Sequence, residues 1–183
     1  MKKLAFVLML VIIPIQLSAQ VFGTGQTLKP GRMSLGVNPA AYLNTNNNDF
    51  YLFLHGGIGM SRRMDLGIKV GVLGDVTYFG ADLEWCLSRR SPHISISVGA
   101  HHYNEFGLDG ILNFTFPLGR RMSIYTGLDL DVNFINGNTT APFWLFIGSD
   151  ISIARRIGFL IEAEIGINAS AYNIISGGFN FYL

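Results

Sequence analysis

Cysteine is all but missing from this chain: of 183 residues only Cys86 carries a thiol, so no intramolecular disulfide holds the fold. Charge is scarce as well. Asp, Glu, Lys and Arg make up 14% of the residues, against about a quarter in an ordinary soluble domain. Beyond Leu17 no stretch approaches the roughly 20 unbroken apolar residues that a membrane-spanning helix needs. A strong field of either sign is missing too: the formal charge is +1, and −1 once Lys2 and Lys3 are set aside. That balance excludes an electrostatic footprint for nucleic acid. The 22 glycines are scattered, and none forms a phosphate-cradling loop between a strand and a helix. His55 and Cys86 lack the spacing of a zinc site. No metal and no cofactor is expected.

What is present begins with a leader. Lys2 and Lys3 precede an apolar run from Leu4 to Leu17, and Ser18-Ala19 supplies small residues before Gln20. This reads as a secretory signal peptide over residues 1–19. No cysteine stands near the cleavage point, which argues against a lipid-anchored lipoprotein. Residues 20–31 are then expected to form an N-terminal periplasmic segment, and 32–183 the folded body.

The body alternates. Leu66, Ile68, Val70 and Val72 oppose Asp65, Gly67, Lys69 and Gly71, and Met122 to Val132 and Phe159 to Ile167 repeat the pattern. Period-two alternation marks strands with two unlike faces. Apolar overall but nowhere continuously apolar is the composition that a transmembrane β-barrel requires, because each strand shows lipid only at every second residue. The reading gives an all-β, antiparallel, up-and-down barrel of about ten strands, with eight as the alternative. The first strand is expected over Arg32–Asn38 and the last over Tyr172–Leu183.

Four Arg-Arg pairs punctuate the alternation, at Arg62-Arg63, Arg89-Arg90, Arg120-Arg121 and Arg155-Arg156, and hold eight of the nine arginines. Charged breaks between strands read as turns, so the pairs are expected on one rim together with both ends of the barrel. There they either reach lipid phosphates or are simply solvated. Five opposite connections carry Asn, Gly, Thr and Ala but no Lys or Arg. The first of these is expected over Pro39–Asp49.

The final segment carries a resemblance. Ser176, Gly178, Phe181 and Leu183 resemble the C-terminal signal by which outer-membrane β-barrels are recognised for insertion. Gly36-Val37-Asn38-Pro39-Ala40 and Arg63-Met64-Asp65-Leu66-Gly67 look like stretches in barrels of Bacteroidetes-type bacteria. The resemblance covers about Arg32 to Leu183. It implies the bacterial outer membrane, lipid as surroundings, insertion by the barrel-assembly machinery and periplasmic termini, and it brings no activity.

By the alternation, Asp65, Asp82, Glu84, Asp129, Asp131, Asp150, Glu162 and Glu164 face inward, with Lys69 as the basic residue well within a strand. Crowded carboxylates need compensation, either from rim arginines folding inward, with Arg121 best placed, or from mobile cations. Trp144 and Phe146 share the inward parity, which predicts a bulge or a plugged upper bore. Other aromatic residues, among them Tyr42, Tyr78, Trp85 and Tyr182, gather near strand ends as interfacial girdles do. A bore of this size is nearly filled by side chains. Two functions fit: a structural or binding barrel at the cell surface, or a narrow cation-preferring pore. A third, an enzyme with a rim site built from His101, His102, Glu105 and Asp109, has a weaker basis. Adjacent histidines on a strand point to opposite faces, and no second catalytic cluster accompanies them. The chain is not expected to be an enzyme.

Overall fold

Alternating residues can satisfy their backbone groups only by pairing with neighbouring strands, and here the pairing runs round until it meets itself. In a computed structural model, residues 24–43, 49–73, 76–103, 105–135 and 137–183 are described. Residues 1–23, which hold the expected signal peptide, and the tips of four connections on the rim opposite the arginine turns lie outside the described residues. The elements are β1 (Met33–Leu43), β2 (Asp49–Gly59), β3 (Met64–Leu73), β4 (Val76–Ser88), β5 (His93–Tyr103), β6 (Glu105–Pro117), β7 (Met122–Ile135), β8 (Asn138–Thr140), β9 (Phe143–Ala154), β10 (Ile157–Gly166) and β11 (Asn173–Tyr182). Each long strand pairs antiparallel with its sequence neighbours. β11 then pairs with β1, Leu35 opposite Phe181 and Val37 opposite Phe179. This makes a closed ring of ten strands with no free edge, settling the choice between ten and eight. The short β8 folds back only on β7, as a hairpin whose turn places Gly137 at φ +82°.

The four Arg-Arg turns, the start of β1 and the end of β11 share one rim. Arg62, Arg63, Arg89, Arg90, Arg120, Arg121 and Arg155 are exposed there and Arg156 is half-buried.

One strand boundary departs from expectation. β1 does not stop at Asn38 but continues through Pro39 to Leu43, with Pro39 opposite Leu52. On its other side the ladder with β11 skips from Val37–Phe179 to Ala40–Ser176. Proline has no N–H to give to a ladder. Pro39 breaks one ladder locally and leaves the strand itself intact.

The two faces of the wall are unlike. Outside, Leu54, Ile68, Val98, Leu128, Ile147, Ile161 and Ile175 are all exposed. Inside, Ser34, Asn38, His55, Asp65, Ser95, His101, Asn113, Thr115 and Asn180 are buried. Polar groups thus occupy the interior and apolar ones the surface, the inverse of a water-soluble domain.

Glycines make room for the bulky inward groups. Phe146 lies opposite Gly127, Tyr125 opposite Gly148, His55 opposite Gly36 and His101 opposite Gly107, each across a ladder. A Cβ at Gly127 would come within 2.4 Å of the Phe146 ring, and one at Gly36 within 1.7 Å of His55. Each large side chain leans over a neighbour that has none.

The chain ahead of β1 also enters the bore. The amide of Gly31 donates to the carbonyl of Gly59 at 2.8 Å, Leu28 donates its amide to the Asp65 carboxylate, and Gly25 donates to Thr115 Oγ1 at 2.7 Å. Leu28 is 1% exposed and Thr24 is buried with it. The expected periplasmic segment therefore lies, over 24–31, within the wall. From its junction with β1 to its contact on β6 it reaches five places round a ring of ten, which is the opposite side. Ten strands about 4.8 Å apart and tilted by roughly 40° make a wall about 20 Å across. Residues 25–32, extended, cover about 25 Å. The segment is long enough to cross the bore, and its contacts show that it does.

Candidate functional site: the chamber inside the wall

Above this crossing segment lies a chamber of about 200 Å³. Seven carboxyl side chains line it, those of Asp82, Glu84, Asp109, Asp129, Asp131, Glu162 and Glu164, together with one lysine, Lys69. Alternation along β3, β4, β6, β7 and β10 places them there, since every second residue of a barrel strand faces the axis. Lys69 Nζ lies 3.5 Å from Asp82 Oδ2, an ion pair inside the bore.

The remaining members of the predicted acidic set sit elsewhere. Asp65 is at the arginine rim, accepting from the Leu28 amide. Asp150 is near the same rim, where a Cβ at Gly158 would meet its Oδ1 at 3.0 Å and the Tyr182 hydroxyl at 3.2 Å. The expectation that rim arginines fold inward, with Arg121 foremost, is not met. No arginine lines the chamber, and Arg121 is exposed. The physical reason is occupancy: Thr24 and Leu28 already fill the bore at that rim.

Asp109 belongs to the chamber rather than to a separate rim cluster. Its Oδ1 contacts His101 Nδ1, while His101 Nε2 lies 2.7 Å from Asn133 Oδ1. The Tyr78 ring stacks on His101 with centroids 5.4 Å apart. His101 is 7% exposed, whereas His102 faces outward and the side chain of Glu105 is outside the described residues. The imidazole is held by a carboxylate, an amide and a ring. No hydroxyl or thiol nucleophile is bonded to it among the described residues, so the geometry offers a braced histidine without a reacting partner. Ligand atoms of His101, Asp109 and Asp131 lie within 4.8 Å of one another. Since Nδ1 is engaged by Asp109, a metal there would have to break that contact.

Aromatic rings form the remainder of the lining. Trp144 and Phe146 face inward and are buried, and the β7–β9 register runs without interruption past both. They fill the bore and mark no bulge. Register shifts occur instead at Cys86–Ser88 and Ile157–Gly158. Tyr42, Tyr78 and Tyr182, expected in the outer girdles, also point inward. Tyr42 and Tyr51 meet edge to face at 4.3 Å, and Phe53 and Tyr78 at 5.6 Å. Trp144 donates its Nε1–H to the carbonyl of Tyr172 at 2.7 Å. Trp85, Phe50, Phe79, Tyr103, Phe134 and Tyr172 do lie on the outside.

The C-terminal group divides by parity. Ser176 faces the chamber, and Phe181 and Leu183 are exposed on the outer surface. At Gly178 a Cβ would fall 1.8 Å from Asn38 Oδ1 and 2.1 Å from the Val37 carbonyl. That glycine lets the last strand close against the first.

No protein-family model and no curated protein sequence matches the chain. Solved structures similar to it in shape are barrels. A de novo designed transmembrane β-barrel shares 10% identity at TM-score 0.46, with 85% of this chain and 98% of that one covered. The N-terminal β-barrel domain of Pseudomonas aeruginosa OprF shares 8% at TM-score 0.42, covering 84% and 98%. The outer membrane protein OprG from Pseudomonas aeruginosa shares 9% at TM-score 0.41, covering 90% and 99%.

Proposed function

We propose that the chain is an integral protein of a bacterial outer membrane, a small barrel with a closed, acidic, largely filled bore that serves a binding or structural role at the cell surface. The observation that carries this reading is the segment 24–31, which crosses the bore from β1 to Thr115 on β6 and buries Leu28 inside it. A bore crossed by its own chain does not conduct freely. Exposed outward-facing Leu, Ile, Val and Phe support lipid as the surroundings, because water would penalise so continuous an apolar surface. In this reading the barrel-assembly machinery inserts the chain through Ser176, Gly178, Phe181 and Leu183. The arginine rim then faces the periplasm, with guanidiniums within reach of lipid phosphates. No enzymatic activity is assigned.

The test is electrical. Purified protein in planar bilayers is expected to give no conductance steps above background, and to run faster on a gel unheated than heated. A second reading, a narrow cation-preferring pore, draws support from the seven carboxyl groups of the chamber. Cation-selective steps abolished by Glu162→Gln with Glu164→Gln would establish it and remove the first.

A further inference from the structure

We infer that a cleft of about 360 Å³ at the arginine rim binds a small phosphate ester between Lys29, Arg62 and Arg89. Thr27, Leu28 and Pro30 complete its walls, and among the described residues no carboxylate lines it. The site goes beyond the lipid contacts read for that rim, because it opens inside the ring. The crossing segment runs as a chord from β1 to β6, and the β2–β3 and β4–β5 turns that carry Arg62 and Arg89 stand on the arc it cuts off.

Each of the three cations stands on a braced turn. Lys29-Pro30-Gly31-Arg32 is closed by the Arg32 amide on the Lys29 carbonyl at 2.9 Å, with Gly31 at φ +75°. Proline second and a left-handed glycine third are what a type II turn requires. The Gly31 amide donates to the Gly59 carbonyl at 2.8 Å and ties this turn to the end of β2. The approach is close enough that a Cβ at Gly59 would meet the Lys29 carbonyl at 2.2 Å. Arg62 sits in the next turn, where the Met60 and Ser61 amides both donate to the Met64 carbonyl, and Thr27 Oγ1 reaches the Arg62 carbonyl at 3.5 Å. In the turn of Arg89, Ser88 Oγ accepts the Arg90 amide at 3.4 Å. Among the described residues neither Arg62 nor Arg89 makes an ion pair.

Like charges gathered at one opening favour an anion between them. A tetrahedral phosphate offers oxygens to all three, as a bidentate partner to guanidinium and a point partner to ammonium. A volume of about 360 Å³ is at the lower end of ligand sites, which begin near roughly 300 Å³. That room suits a phosphate ester of headgroup size better than a bare ion. Such an occupant would also bridge the crossing segment, through Lys29, to the wall.

Glycerol phosphate is the probe and potassium chloride at matched ionic strength the control, with the folded barrel in an uncharged, phosphate-free detergent. Binding there is independent of which side of a membrane the rim faces. Calorimetric titration is expected to show saturable uptake of the phosphate and none of chloride. Arg62→Gln with Arg89→Gln should weaken it about tenfold. Arg120→Gln with Arg155→Gln, which removes the same charge from the other two turns, should change it by less than about twofold. Should the first pair lose heat-modifiable mobility, Lys29→Gln, which lies outside any strand, is expected to weaken the phosphate several-fold instead. The inference is overturned if a folded barrel shows no saturable binding, if chloride reproduces it, or if Lys29→Gln binds as before. Equal weakening by the two arginine pairs overturns it as well, since a general field of the rim would respond to either. Repeating the titration in nanodiscs of phosphatidylcholine and phosphatidylglycerol distinguishes the sources of the phosphate. Binding retained there assigns the cleft to a soluble ester, and binding lost there but intact in detergent assigns it to a lipid headgroup.

Discussion

The backbone amide of Leu28 donates to the side-chain carboxylate of Asp65, a residue 37 positions further along the chain and on the wall that surrounds it. This contact fastens the crossing segment to β3 in the bore. Removing the acceptor leaves a buried N–H unsatisfied, which costs about 1–3 kcal/mol. In a Cys86→Ala background, Leu28→Cys is expected to resist a water-soluble maleimide while Asp65 is present. It should react at least tenfold faster in Asp65→Ala. Equal protection in both would show that the carboxylate does not hold the segment.

Ile161 is 49% exposed on the outer face, where the proposed surroundings are acyl chains. A lysine near the bilayer midplane costs about 2–4 kcal/mol. Ile161→Lys is therefore expected to lower the urea stability of the vesicle-inserted barrel by about that much. A cost near zero would mean that this face is wet, and the membrane reading would fall with it.

The space over glycine can be tested at one residue. A methyl at Gly127 would meet the Leu112 carbonyl at 2.1 Å and the Phe146 ring at 2.4 Å, whereas at Gly110 the nearest atom is 3.9 Å away. Overpacking of this kind costs about 1–3 kcal/mol. Gly127→Ala should shift the urea midpoint downward and Gly110→Ala should hardly move it. Indistinguishable midpoints would refute the fit of ring against glycine.

His101, Asp109 and Asn133 form one network, so their contributions are expected to be coupled. In a double-mutant cycle of His101→Phe and Asp109→Asn, the two losses of stability should fall short of additivity by about 1 kcal/mol. Additive losses would mean that the contact contributes nothing to the fold.

Much of this molecule is local and is written in the order of its residues. Which side chains share a face follows from parity along a strand, so the outward placement of Leu128 and Ile161 and the inward placement of Lys69 and Trp144 could be read without coordinates. The alternation also gave about ten strands with eight as the alternative, and closure of the ring decided for ten. Pro39 misled the reading because a missing N–H interrupts one ladder, not a strand, and which ladder it faces is a matter of partners. The inward turn of Tyr42, Tyr78 and Tyr182 went unseen because a girdle and a filled bore use the same residue types at strand ends.

What only ring closure decided is everything that depends on distance round the wall. It set Gly178 beneath Asn38, while the register of neighbouring strands set Gly127 beneath Phe146 and brought Asp109 and Asn133 to the two nitrogens of His101, and the crossing segment carried Gly25 to Thr115. Register between strands and the path of 24–31 through the bore arise from contacts between residues far apart in the chain. Period-two patterning holds no record of such contacts, because it reports a residue's face and never its neighbour.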